Sequence, residues 1–218
     1  MIVQNWMNDK PMTISSDMLV SQAKRILTDN NLRALPVVEE GRLRGVITRA
    51  NCLRASENAT RSQDINEINF FVNRLKVKDL MARNPMTVAA NDTMEHCLRL
   101  GQDDRVSQFP VIEDGQVVGM VSATEVFFLA AQVLGVWEKW AGITLAPVAI
   151  KAGVLGAVTR AAEEAGAVVH SVYPVSRDKN SAEKRIILRF DQADPEAVAG
   201  ALKEAGFEVV EITPEVQA

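Results

Sequence analysis

A chain of 218 residues, 47% hydrophobic and 24% charged, has room for one large or two small globular domains with a real core. Its net charge of −4 and pI near 5.3 exclude a global field drawing it to nucleic-acid phosphates, leaving only local basic clusters for that task. Asp9 and Lys10 arrive before any apolar run of signal-peptide length, and the longest apolar stretch, residues 126–136, is far short of the roughly 20 needed to cross a bilayer. A cytoplasmic protein is expected. Cys52 and Cys97 show no paired spacing and read as small buried hydrophobes in a reducing compartment.

The chain opens on a unit that it then repeats. WMNDKPMTI near the start returns as LMARNPMTV, with Met7 and Met81 offset by 81 − 7 = 74. The same offset links Pro11 to Pro85, Thr13 to Thr87, Pro36 to Pro110, Gly41 to Gly115, Gly45 to Gly119 and Thr48 to Ser122. So many special residues in one register indicate a tandem duplication. In each copy a proline precedes a short extended piece, residues 12–14 or 86–88. Ser15-Ser16-Asp17 or Asn91-Asp92-Thr93 then signals a helix start. Leu19, Ala23 and Ile26 mark one face of the first of these helices. Two apolar strands follow, joined by Glu40-Gly41 or Asp114-Gly115, the mark of a hairpin. A last helix starts near Arg49 or Ala123, so each copy reads β-α-β-β-α, and the copies are expected to pack on each other.

Between the copies, the polar residues 56–75 read as a flexible loop and then a bridging helix, with Ile65, Ile68, Phe71, Val72 and Leu75 on one face. The apolar run VFFLAAQVLGV is wider than one stripe, so its helix is expected to be covered all round, by this chain or by a second copy. Past Gly135 the grammar changes. Residues 137–150 read as a strand, 153–165 as a helix closed by Gly166, and AVVHSVYPV and KRIILRF as strands around a polar loop. Pro195 opens another helix, Gly206 ends it, and FEVVEI is the last strand. The order is β-α-β-β-α-β, the split βαβ of ferredoxin-like folds.

The repeated GVITRAN and GMVSATE carry the chemistry. Thr48 or Ser122 stands where a strand ends, and Asn51 or Glu125 follows one helical turn later. A hydroxyl and helix N-terminal N–H groups there can face a phosphate, while the later polar residue takes ribose hydroxyls. The plainer alternative is an ordinary N-cap with a capping box. Enzyme chemistry finds no purchase: His96 and His170 lack metal-ligand spacing, and no nucleophile elbow, P-loop or GxGxxG is present.

The doubled Met-x-x-x-Pro-x-Thr, Leu-Pro-Val-Val and Gly-x-hydrophobic-hydroxyl pattern resembles a pair of cystathionine-β-synthase-type (CBS) domains, a Bateman module, over about residues 3–135. The tail, with Gly153-Val154-Leu155, resembles an ACT domain, and the whole is similar to acetoin-utilisation regulatory proteins of the AcuB type. The resemblance implies an α+β (or α/β) chain: a first CBS motif at 1–60, a bridge at 61–76, a second motif at 77–135 and an ACT-like, ferredoxin-like domain at 140–214. It also implies two nucleotide clefts, one using Thr13, Ile14, Ser122 and Glu125, the other Thr87, Val88, Thr48 and Asn51. Adenine would lie near Ala34-Leu35-Pro36 or Gln108-Phe109-Pro110, and Arg33, Arg49 and Arg105 would serve phosphate.

The chain departs from that pattern where the usual ribose-binding Asp is Asn51 in one copy and Glu125 in the other. The charged Glu125 cleft is expected to bind the more tightly. Ile150-Lys151-Ala152 replaces the acidic residue common before the ACT turn, so sheet pairing with a second subunit is expected there in preference to amino-acid binding. The reading is a non-enzymatic regulator, a homodimer with no required cofactor, no metal, nucleic-acid or membrane partner, and a possible regulated protein partner. AMP, ADP, ATP, S-adenosylmethionine and NADH remain open as ligands. The rivals are an interaction module with empty clefts and the regulatory subunit of a separate enzyme.

Overall fold

The repeat is preserved down to single backbone angles. Glu40 and Gly41 have φ of 52° and 77°, and Asp114 and Gly115 repeat them at 50° and 77°, the paired positive angles of a tight hairpin turn. Asn31 and Arg105, one offset apart, are also both left-handed, at 51° and 55°. Each hairpin bulges at the same place, between Val37 and Val38 or Val111 and Ile112. The computed structural model describes residues 1–61, 65–176, 178 and 180–214. It falls into two units, Met1–Ala130 and Ala131–Ala218.

In the first unit, α1 (Val20–Asp29) leads to the antiparallel hairpin of β1 (Ala34–Glu39) and β2 (Arg42–Thr48), then to α2 (Arg49–Arg61). α3 (Ile65–Asn73) and the single turn α4 (Val77–Leu80) connect to the second copy. There β3 (Val88–Ala89) runs parallel to β4 (Gln108–Glu113), α5 (Met94–Asp104) lies between them in sequence, and β5 (Gln116–Ser122) and α6 (Ala123–Leu134) follow. The extended piece of the first copy makes a parallel bridge of its own, Ile14 to Val37.

Each copy is completed by the other's leading segment. Asn8 and Met120 exchange two backbone hydrogen bonds, of 2.9 and 3.0 Å, and Ala82 and Val46 do the same at 2.8 and 3.0 Å. Behind these pairs Met7 covers Gly119 and Met81 covers Gly45. Further back, Val20 N donates to Leu75 O and Met94 N to Met1 O. Asp17 accepts from both Lys76 and Lys78, at 2.9 and 2.8 Å, and the two ammonium groups hold its carboxyl down at about 2. Because the folded value is depressed, this contribution is present above the unfolded value near 3.8 and is lost as pH falls toward 2. Asp17 is exposed, so the effect is small and salt-sensitive. Melting curves of the parent and Asp17→Asn should differ slightly at pH 7 and converge between pH 4 and 2; a gap that widens on acidification would contradict this.

Several local expectations need correction. α1 begins at Val20 with Leu19 at its N-cap and no side-chain cap, so Ser15-Ser16-Asp17 form the turn before it. Its buried stripe is Val20, Ala23 and Leu27, displaced from the Leu19–Ala23–Ile26 face. In the second copy the signal holds, since Thr93 accepts from His96 N at 3.1 Å. Residues 56–61 continue α2 and do not form a loop. Ile65 is 67% exposed, so it is no core residue, while the side chains of Phe71 and Val72 lie outside the described residues. α6 is not covered all round by this chain: Leu129 is buried, but Phe127 is 72% and Phe128 53% exposed. Cys52 and Cys97 are free and buried, and burial pushes both thiols up to about 11.

The second unit runs β6 (Ala141–Leu145), β7 (Val148–Ala149), α7 (Val154–Glu164), β8 (Val168–Val175), β9 (Glu183–Asp191), α8 (Pro195–Glu204) and β10 (Val209–Thr213). Residues 137–150, read as one strand, are thus two short ones after an irregular stretch. β10, β6, β9 and β8 lie side by side in that order, every neighbour antiparallel, and β7 extends the β6 edge of β9. Gly166 and Gly206, with φ of 89° and 87°, close α7 and α8. Asp194 caps α8 ahead of Pro195. One face of the sheet buries Ile143, Ile186, Leu188 and Phe190 with Val158, Ala162, Val198 and Leu202 of the helices. No helix of the described residues is long and apolar enough to cross a membrane.

Candidate functional site

The exchanged leading segments bring the end of β5 in one copy beside the start of β1 in the other. A cleft of 340 Å³ opens there, within the range of about 300–1,000 Å³ usual for small-molecule sites. Ser122, Thr124 and Glu125 form one wall. Asn30, Asn31, Leu32, Arg33, Ala34 and Pro36 also line it, with Asn8, Pro11 and Met12 from the leading segment and Gln108 and Met120 from the second copy. Ala34, Val46 and Met120 make a small buried cluster at the seam between the copies.

The repeated hydroxyls act as caps in both copies. Ser122 N donates to Glu125 Oε2 at 2.7 Å, Ser122 Oγ donates to the same oxygen at 2.5 Å, and Thr124 N donates to Ser122 Oγ at 3.2 Å. In the first copy Asn51 N donates to Thr48 Oγ1 at 3.1 Å, and the Thr48 hydroxyl donates back to Asn51 Oδ1. Glu125 therefore folds back onto its own helix start, and its carboxylate complements the N-terminal end of the α6 dipole.

Of the residues singled out in the sequence, Ser122, Glu125 and Arg33 meet in this cleft, together with Ala34, Pro36 and Gln108 from the adenine positions. Thr13 is exposed beside Met12, outside the lining. The Ile14 side chain is 5% exposed and joins the core, and its N–H and C=O are both bonded, to Pro36 O and Val38 N. Val88 is likewise a core residue, while Thr87 is exposed. Arg49 and Arg105 do not line the cleft. Arg49 N donates to Arg33 O at 2.8 Å, and Arg105 is the left-handed residue ending α5.

Sequence reasoning missed Asn8, Asn30 and Asn31. Their only signal was position: Asn31 is the offset partner of Arg105, and Asn8 follows the Met7 that covers Gly119. A wider recess of 670 Å³ in the second unit sets Arg185 against Asp178, Glu183 and Glu211, a carboxylate surplus unsuited to phosphate. Among the described residues, no group of three or more His, Cys, Asp and Glu gathers to hold a metal.

Comparison with known proteins falls on the repeated half. The CBS domain family matches residues 3–58 and 77–131. An inosine-5'-monophosphate dehydrogenase of Korarchaeum cryptofilum is 28% identical over 117 residues, which make up 53% of this chain and 21% of that protein. The chain thus spans about a fifth of the length of that curated relative. A CBS domain pair solved in complex with 5'-methylthioadenosine and S-adenosyl-L-methionine is 25% identical, with a TM-score of 0.50, covering 61% of this chain and 97% of that one. The AcuB protein from Vibrio cholerae shares the fold at 18% identity and a TM-score of 0.55, covering 63% of this chain and 96% of its own.

Proposed function

The chain belongs to the CBS domain family, and on that premise we propose a cytoplasmic, non-enzymatic regulator that binds an adenosine ligand between its two CBS domains and signals by a change of shape. The observation that carries this reading is the cleft in which Ser122, Glu125 and Arg33 come together across the repeat. Support comes from the related CBS pair whose solved complex contains two adenosine compounds.

In this reading ribose hydroxyls donate to the Glu125 carboxylate, adenine lies along Ala34 and Pro36 beside Gln108, and Thr13 and the Ile14 backbone border the mouth. Thr87, Val88, Thr48 and Asn51, with Arg49 and Arg105, form the related second cleft. A ligand biases two arrangements only by binding them unequally. The cap is where that inequality arises, because a ribose that takes Glu125 competes with its bonds to Ser122.

The βαββαβ second unit is read as a ferredoxin-like, ACT-like domain that pairs its sheet with a second subunit. The exposed Phe127 and Phe128 of α6 are consistent with a homodimer.

Thermal unfolding with AMP, ADP, ATP, S-adenosylmethionine and NADH in turn tests the proposal. A ligand at about 100 times its Kd adds about 2.7 kcal/mol, a shift of roughly 5–10 °C for a chain of this size. The Glu125→Ala variant should lose more of that shift than Asn51→Ala, because the hydrogen bonds of a charged acceptor are the stronger. Equal losses would remove the ranking of the clefts. No shift with any compound would favour an interaction module with empty clefts.

A further inference from the structure

Glu125 is a half-buried carboxylate that enters no ion pair among the described residues. Its Oε2 is taken by Ser122 N and Ser122 Oγ, while Oε1 accepts no hydrogen bond from the described residues. The N-terminus of α6 sets roughly half a positive charge against it, which leaves the place anionic. A second recess, of 330 Å³, opens onto this carboxylate. Trp6 and Phe128 line it together with Glu125, with Asn5, Asn8 and Thr124 around them, and no Lys, Arg or His is in the lining. Glu125, Asn8 and Thr124 also border the cleft described above, whereas Trp6 and Phe128 line the recess and not the cleft.

The charge and the rings together decide what fits. An anion is repelled. A hydrated metal ion needs several oxygens to replace its water, and one carboxylate among neutral amides offers few. An alkylated ammonium carries its charge beneath methyl groups, has no hydrogen bonds of its own to lose, and is attracted by ring faces as well as by a carboxylate. The duplication supplies an internal control. At the offset of 74, Trp6, Glu125 and Phe128 correspond to Leu80, Asn51 and Arg54. Both rings and the charge are missing from the other copy, and a guanidinium stands at the position of Phe128. We propose that this recess binds a small organic cation of the quaternary ammonium class, held by Trp6 and Phe128 and neutralised by Glu125. The inference does not rest on the adenosine reading. Phe127, one residue earlier on α6, lines a separate recess.

Calorimetry on the full chain tests it, at an ionic strength fixed with potassium chloride. The probes are choline and its neutral carbon isostere, in which a tert-butyl group replaces trimethylammonium. Choline should bind saturably, and the isostere at least about 10-fold more weakly. Glu125→Gln should weaken choline by about 5- to 30-fold while keeping the helix start, because a capping box accepts Gln as well as Glu. Trp6→Leu, which installs the residue of the other copy, should cost about 3- to 30-fold. Phe128→Tyr keeps a ring and should bind within about twofold of the parent, while Phe128→Arg should abolish binding. The isostere binding as tightly as choline would overturn the proposal, and so would unchanged choline affinity in Phe128→Arg. No saturable binding of choline by the parent chain would overturn it as well, and would leave the thermal shifts with adenosine compounds to decide the neighbouring cleft.

Discussion

Gly45→Ala is expected to destabilise the first unit by about 2–3 kcal/mol, lowering Tm by roughly 5–10 °C, and to cost more than Gly119→Ala at the equivalent place. A Cβ on Gly45 would stand 2.6 Å from the carbonyl oxygen of Ala82 and 2.8 Å from Met81 Sδ. That carbonyl is fixed by its bond from Val46 N, so neither side yields without breaking the exchange between the copies. A Cβ on Gly119 would meet Met7 Sδ at 2.3 Å, but the nearest backbone atom, Asn8 O, is 3.0 Å away. Methionine has flexible torsions and can swing aside. Adding Met7→Ala should therefore restore much of the loss in Gly119→Ala, while Met81→Ala should do little for Gly45→Ala. Denaturant unfolding of the four variants and the two double mutants measures this coupling directly. Equal rescue in both copies would show that the backbone contact at Gly45 is not what limits the site.

The same contact explains what the sequence made legible. The duplication was readable because each of its special residues answers a local backbone demand: Gly41 and Gly115 supply left-handed turn angles, and Gly45 and Gly119 leave room for a methionine. What the repeat could not reveal is that each Met covers the glycine of the other copy. The failed cap of α1 has the same origin. The first N–H of each helix is bonded from outside, by Leu75 O at α1 and Met1 O at α5, so α1 holds its place with Leu19 at the N-cap where α5 has the capping Thr93. The apolar run of α6 announced burial without saying by which chain, and within this chain Phe127 stays exposed. The cleft amides were illegible because Asn8, Asn30 and Asn31 come from segments with no hydrophobic period.

Ser122 and Glu125 were legible as a pair but not in their roles. Capping and ligand binding were alternatives in the sequence, and the structure has the cap closed. Closure does not exclude a ligand; it sets the competition a ligand faces. Of the three hydrogen bonds at the start of α6 that use Ser122 and Glu125, the two accepted by the Glu125 carboxylate are to a charged group, and such bonds are individually worth about 1.5–3 kcal/mol. A ribose that recruits Glu125 recovers part of this through its own hydroxyls. The unrecovered remainder is a cost of binding, and it falls on the start of α6, the helix that leads out of the CBS pair toward the second unit in sequence.

Phe190→Ala should cost the second unit about 3–5 kcal/mol and leave the first unit's unfolding where it was. Phe190 is fully buried on β9, paired with Ala141 of β6 on one side and Val169 of β8 on the other. Among the described residues, its side chain belongs to a buried core built from β6, β9, α7 and α8. Phe190→Leu, which keeps most of the volume, should lose under about 1.5 kcal/mol. The tryptophans separate the two units, since Trp6 lies in the first and Trp137 and Trp140 in the second. Replacing either set by phenylalanine leaves a fluorescence reporter for one unit alone. In Phe190→Ala the Trp137/Trp140 midpoint should move to lower denaturant while the Trp6 midpoint stays. Midpoints that fall together would mean that the two cores unfold as one cooperative body. Any stabilisation by the proposed adenosine ligand would then have to be read from the whole chain, because no transition would belong to the CBS pair alone.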